Sequence, residues 1–355
     1  MSEHYPDQKI LCKRILVVPL RYIGDTVLTV PLLRQLRQLF PQAQIDVLTS
    51  SVTQSLLQDC PFINQTVIET KSIWKTLKFL KTQRYDTVFL LRKSFTWALL
   101  CQLACISQRI GFDKQRFPWG YKRWGLCLSR TARYPALKTE TPQVKSILSL
   151  LDAAGLPQDT DDTLTLWNTP QETQAIDVLL QQVGICSGVK TQSESPPLAV
   201  LHIASASHGK QVAPEKFIAS LQALHQAGYT LLATGLESER ALYDSLAEKS
   251  GMPLINLAGQ TSLRETVCLY RRIQLLLTLD SGPTHLAAAV GVPNIVGVYG
   301  PTNHRQWAPH SITSRFAPVF LELPCRPCYA KECAHNNCKV QLPASAIQQA
   351  VEELL

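Results

Sequence analysis

Residues 278–303 read TLDSGPTHLAAAVGVPNIVGVYGPTN, and the succession of residue types in and around this stretch decides the fold class. The aliphatic run Leu275–Thr278 has the length and composition of a buried strand. Pro283–Val290 reads as a helix with proline in its first turn, and Asn294–Tyr299 reads as another strand. Strand, helix and strand in so short a span form the βαβ unit of a parallel sheet. The polar cluster Asp280, Ser281, Gly282, Thr284 and His285 falls where the first strand meets the helix N-terminus. Unpaired backbone N–H groups and the positive end of the helix dipole meet at such a junction, so a phosphate is its natural guest.

The alternation continues outward. Leu198–Ile203, Tyr229–Thr234 and Leu254–Leu257 read as strands, and Pro214–Ala227, Glu237–Lys249 and Ser262–Arg272 as helices. In the first half, Ile15–Leu20, Ile45–Thr49 and Tyr85–Leu91 are strand-like, whereas Thr26–Phe40 and Ser94–Ile106 are helical. Leucines at 28, 32, 36 and 39 give the first of these helices its apolar stripe. Between the halves, SGVKTQSESPP at 187–197 has few apolar residues and several breakers, which marks a linker. A chain of 355 residues is too long for one ordinary core. The expected architecture is α/β: a Rossmann-like domain over 1–186, the linker, and a second Rossmann-like domain over 198–342. A cleft is expected between the carboxyl ends of their strands.

Hydrophobic residues at 45% suffice for two cores, and 35 basic against 27 acidic residues leave a net charge of +8. That moderate, dispersed excess suits an anionic small molecule or an anionic membrane surface more than a nucleic-acid duplex. No segment approaches the roughly 20 apolar residues of a membrane helix, and the polar start MSEHYPDQK lacks the apolar core of a signal peptide. These features predict a cytoplasmic protein. Seven of the eleven cysteines are scattered, mostly in apolar surroundings, and read as buried free thiols.

The first strand is followed by PLRYIGDTVLTVPLLRQLRQLFP at 19–41. Gly24 permits a tight turn there, and Asp25 opens the next helix at the cleft edge of the sheet. As an N-cap, Asp25 would simply accept backbone N–H bonds. As a general base it would take a proton from a hydroxyl nucleophile. The segment has no GxGxxG, so the dinucleotide fingerprint is missing.

Four stretches together, ILVVPLRYIGDTVLTVPLLRQLRQLFPQAQIDVLTS at 15–50, RIGF at 109–112, HIASASHGKQVAPEKFIASL at 202–221 and LDSGPTHLAAAVGVPNIVGVYGPTN at 279–303, resemble the family 9 glycosyltransferases. These are the heptosyltransferases of the lipopolysaccharide inner core. The resemblance implies a GT-B fold, with two Rossmann-like domains facing across a cleft and a final helix at 343–355 packing back on the first domain. It implies an inverting, metal-independent transferase that moves a heptose or related sugar from a nucleotide-sugar donor, such as ADP-heptose, to a lipid-linked saccharide. No cofactor is implied. Asp25 matches the family's catalytic base and Lys210 the lysine that approaches the donor phosphates. Val212 and Ala213 stand where the family usually has Trp and Pro, a departure that bears on local packing. Asp280, Ser281, Gly282, Thr284 and His285 match the donor diphosphate site, with the Ser281 and Thr284 hydroxyls as donors to the anion. Either Glu239 or Glu237 holds the ribose hydroxyls. Arg21, Arg92, Lys93 and Arg116 form the acceptor-binding set, within a region at 84–133 where arginines, lysines and Trp97, Phe117, Trp119 and Trp124 alternate. That region could grip a phosphorylated glycolipid at the inner membrane face, or be an ordinary solvated face.

PCRPCYAKECAHNNC at 324–338 stands apart. Cys325, Cys328, Cys333 and Cys338 have a spacing close to a zinc knuckle, with His335 nearby, but the segment lacks the knuckle's glycines. Structural zinc, a labile disulfide and reduced thiols all remain open. Two other functions share the layout: a nucleotide-sugar 2-epimerase, and a nucleotide-sugar binder without activity.

Overall fold

The computed structural model describes residues 12–113, 127–185, 196–205, 207–330 and 332–355. The expected linker at 187–197 falls almost entirely outside these residues, as does Arg116. The chain forms two compact units. One runs to Ala136 and resumes over Val144–Asp162; the other comprises Leu137–Gln143 and Thr163–Leu355.

In the first unit, β1 (Arg14–Val18), β2 (Gln44–Thr49), β3 (Gln65–Ile68), β4 (Thr87–Leu90), β5 (Gln108–Asp113) and β6 (Arg130–Arg133) form one sheet. Its order is β3-β2-β1-β4-β5-β6, with neighbours parallel throughout. The helices are α1 (Ile23–Leu39), α2 (Ser51–Gln54), α3 (Ile73–Gln83), α4 (Phe95–Leu103) and α5 (Gln143–Ala154). The second unit opens with α6 (Pro170–Gln182). It then alternates β7 (Leu198–His202), α7 (Ile218–Gln226), β8 (Thr230–Ala233), α8 (Arg240–Ser250), β9 (Leu254–Asn256), α9 (Leu263–Tyr270), β10 (Leu275–Leu279), α10 (Gly282–Val290) and β11 (Asn294–Tyr299). β12 (Arg315–Phe320), α11 (Asn337–Val340) and α12 (Ala344–Glu352) complete it. Its sheet, β12-β11-β10-β7-β8-β9, is again wholly parallel.

Both sheets have the doubly wound order. The strand order reverses between β1 and β4 in one sheet and between β7 and β10 in the other, and open α/β sheets take ligands at the carboxyl ends of such a pair. The central strands read as unbroken aliphatic runs because helices cover both faces: LLLTL of β10 is buried at every residue.

Two expectations change. The first unit ends at Asp162 rather than residue 186, because α6 packs on α9 of the second unit. The Glu172 carboxylate binds the Arg264 guanidinium there, and Asp177 pairs with Arg272 at 2.7 Å. The final helix, expected on the first domain, is built into the core of the second unit. Leu342, Ile347, Val351 and Leu354 enter the second core with Leu221 and Leu224 of α7. Lys216 fixes the approach to that helix by donating to the carbonyls of Lys339, Val340 and Leu342 at 2.9, 2.6 and 2.6 Å.

Candidate active site

The β7/β10 switch point gathers one polar cluster. β7 runs into a short 3₁₀ turn, His208–Lys210, and β10 runs through Asp280 and Ser281 into α10. Lys210 Nζ lies 2.8 Å from Asp280 Oδ2 and donates to the Asp280 carbonyl at 2.9 Å. Only 4% of the Asp280 side chain is exposed, and the Thr302 hydroxyl donates to the same Oδ2. A buried carboxylate is tolerated only with such partners. An ammonium has three N–H groups, so these two contacts leave one for a ligand.

The α10 N-terminus opens on the same cluster. Ser281 sits at the N-cap in an extended conformation, but its hydroxyl does not cap the helix. It donates to the Leu279 carbonyl at 3.1 Å, and the Thr284 hydroxyl joins it at 3.2 Å. These hydroxyls, expected to face a diphosphate, are turned onto the end of their own strand. Pro283 has no N–H and the Thr284 N–H donates to the Ser281 carbonyl at 3.2 Å, so what the first turn offers an anion is chiefly the Gly282 N–H, at a residue with no Cβ in the way.

His285 is 3% exposed, and burial pushes its pKa down to about 4; Asp280 draws it up and Lys210 down by smaller amounts. The ring is neutral near pH 7. Its Nδ1 has no partner among the described residues.

Glu237 and Glu239 follow β8, the neighbour of β7. Glu239 Oε2 accepts from the Leu236 N–H at 2.7 Å, and a Cβ at Gly235 would lie 2.6 Å from that oxygen, so any larger residue there would push the carboxylate aside. Glu237 is 70% exposed and pairs with Arg240 at 3.0 Å.

In the first unit, α1 begins at Ile23 with Tyr22 as N-cap, so Gly24 lies within the helix and Asp25 is its third residue rather than its cap. Asp25 is 6% exposed, at the positive end of the helix dipole. Arg21 and Arg92 both bind Glu69 Oε1, at 3.0 and 2.7 Å. Burial raises the Glu69 pKa, but the two arginines outweigh it and leave the carboxyl below its usual range. Arg92 also donates through Nε and Nη2 to the Pro19 carbonyl at 3.2 and 3.1 Å, which ties the end of β4 to the loop leading into α1. Lys93 Nζ lies 3.2 Å from the centroid of the Tyr134 ring. Other arginines of the 84–133 region are spent on backbone carbonyls: Arg109 on Cys127 at 2.6 Å, Arg130 on Ala154 at 2.7 Å. Lys114, Phe117, Trp119, Lys122, Arg123 and Trp124 lie outside the described residues.

A family model for glycosyltransferase family 9 (heptosyltransferase) matches residues 73–339. The chain belongs to glycosyltransferase family 9. Lipopolysaccharide heptosyltransferase 3 of Escherichia coli K12 is 28% identical to it over 357 residues, covering 95% of this chain and 96% of that protein. The solved structure of E. coli ADP-heptose lipopolysaccharide heptosyltransferase II aligns with a TM-score of 0.71 at 22% identity, covering 96% of this chain and 98% of that one. E. coli heptosyltransferase WaaC with ADP aligns with a TM-score of 0.65 at 18% identity, covering 96% and 100%. The fold is thus GT-B, and the protein is a glycosyltransferase.

In this family 9 chain Val212 is buried in the second core beside Phe217, so an aliphatic residue fills the position where the resemblance leads one to expect Trp. Cys325, Cys328, Cys333 and Cys338 are free thiols, and the described residues contain no His, Cys, Asp or Glu group fit to hold a metal. The Cys-rich segment also carries a structural arginine that the cysteines obscure. Arg326, 8% exposed, donates to the carbonyls of Gly300, Thr302 and Leu321. The Cys328 and Tyr329 N–H groups hold Pro301 at 2.9 and 3.1 Å. The segment thereby fixes the loop whose Thr302 holds Asp280, which in turn holds Lys210. Thr302, Arg326 and Glu69 all escaped the sequence reading. Thr302 at least lies inside the stretch 278–303, whereas Glu69 stands in no motif.

Proposed function

We propose that this family 9 glycosyltransferase moves a heptose from ADP-heptose to a lipopolysaccharide-type acceptor by single displacement with inversion. The observation that carries the reading is the Lys210–Asp280–Thr302 cluster beside the uncapped start of α10, at the strand ends where a doubly wound sheet takes its ligand. The free N–H of Lys210 and the first-turn backbone of α10 hold the donor diphosphate and offset the charge that grows on it as the bond to the sugar breaks. The neutral His285 supplies a ring nitrogen still without a partner. Glu237 or Glu239 takes the ribose hydroxyls. Asp25 accepts the proton of the acceptor hydroxyl as its oxygen bonds to the anomeric carbon, and the nucleoside diphosphate departs with the electron pair of the broken bond. Arg21 and Lys93 meet acceptor anions, while Arg92 holds the loop before α1. The donor follows the named activity of the heptosyltransferase II relative, and the acceptor that of the lipopolysaccharide heptosyltransferases.

The test is transfer from ADP-heptose to lipopolysaccharide core acceptors by wild type and Asp25→Asn. The variant is expected to lose about a thousandfold in turnover, within the range for general bases, and to keep its ADP affinity. Turnover within tenfold of wild type removes Asp25 from the reaction. Isomerisation of the donor without acceptor would mark an epimerase, and ADP binding with no transfer a binder.

A further inference from the structure

The corner where edge strand β3 passes into α3 exposes apolar side chains that a water-facing surface does not require. Ile68, Ile73 and Trp74 are 51%, 54% and 80% exposed. On α3, Trp74, Lys78 and Lys81 fall at i, i+4 and i+7, one outward stripe, with Lys75 beside it. Thr76 and Leu80 make the opposite stripe and are buried. All three lysines are exposed, the helix carries no acidic residue, and none of the lysines has an ion-pair partner among the described residues. The corner thus presents Ile68 at the end of β3, Ile73 at the start of α3 and Trp74 on the outer face of that helix, bordered by lysines with no ion-pair partner among the described residues. Because α3 follows β3, its first turn stands at the carboxyl edge of the sheet, where Glu69 gathers Arg21 and Arg92.

We propose that this corner docks on an anionic lipid bilayer. Ile68, Ile73 and Trp74 seat at the boundary of headgroups and acyl chains, and Lys75, Lys78 and Lys81 lie among the anionic headgroups. Charge complementarity chooses the occupant. Lysines repeated along about 9 Å of helix, with an amphipathic indole beside them, suit a laterally uniform negative surface. An acidic protein would be expected to meet arginine forks and backbone donors instead. The proposal does not depend on the sugar transferred.

Sedimentation of the full chain with vesicles of phosphatidylglycerol and phosphatidylcholine in roughly equal parts tests it, with pure phosphatidylcholine vesicles as the neutral arm. Wild type is expected to sediment with the anionic vesicles only. Replacing Lys75, Lys78 and Lys81 together by Gln should weaken binding about fivefold per lysine, roughly a hundredfold in all. Trp74→Ala should weaken it about tenfold. These side chains point to water, so both variants should melt with wild type and keep their ADP affinity. Wild type left in the supernatant, or variants that sediment like wild type, overturns the proposal. The readout is lipid binding, so its failure leaves glycosyl transfer untouched, and a failure of transfer leaves it standing.

Discussion

His285 shows how one buried ring ties stability to pH. Burial lowers its folded pKa from 6.5 to about 4, so folding favours the neutral ring. That contribution is complete above pH 6.5, the unfolded value, and is lost as pH falls toward 4. The loss reaches about 3 kcal/mol at the lower end. Urea unfolding of wild type and His285→Gln between pH 7 and 4 should therefore converge on acidification, because the variant keeps every other acid-sensitive group and lacks this one. Parallel curves would mean that the ring is not held neutral. At this scale the sequence disclosed Asp280 and His285, which belong to one local junction, and Lys210 through resemblance. It did not disclose that Ser281 and Thr284 turn inward to Leu279, or that Thr302 holds Asp280 while Arg326 holds Thr302. The first is a choice of side-chain rotamer within one junction, which residue types do not dictate, and the others arise only when separate segments fold together.

Elements were legible where burial forces a pattern. β10 and β11 lie within one residue of their expected bounds because a strand covered on both faces must be aliphatic throughout. Edge strands have no such requirement. β3, β6 and β12, reading QTVI, RTAR and RFAPVF with much of their surface exposed, carry too little apolar signal to stand out. The bounds of α12 were also close, yet its docking site was misplaced, because an amphipathic stripe says that a helix packs and not on what. Ile347 lies at 0% exposure in the second core. Ile347→Ala should cost about 3 kcal/mol, and hydrogen exchange should quicken in β7, β10 and α7. Faster exchange in β1 and β4 instead would return the helix to the first unit.

At the scale of the molecule, the two units share one strand order, and in the proposed reaction the second must offset the charge of the donor diphosphate. The described residues offer Lys210, the α10 backbone and no acidic cluster fit for a metal. Millimolar EDTA should therefore leave transfer within twofold of its untreated rate. Lys210→Met should lower kcat/KM by at least a hundredfold, as expected when a preorganised charge that meets the leaving group is removed. Steady-state assays with both treatments distinguish the sources of positive charge. A chelator that stops the reaction, with magnesium restoring it, would assign the diphosphate to a divalent ion. Lys210 would then only hold Asp280 in place, and its Met variant should melt earlier without losing the metal-supported rate.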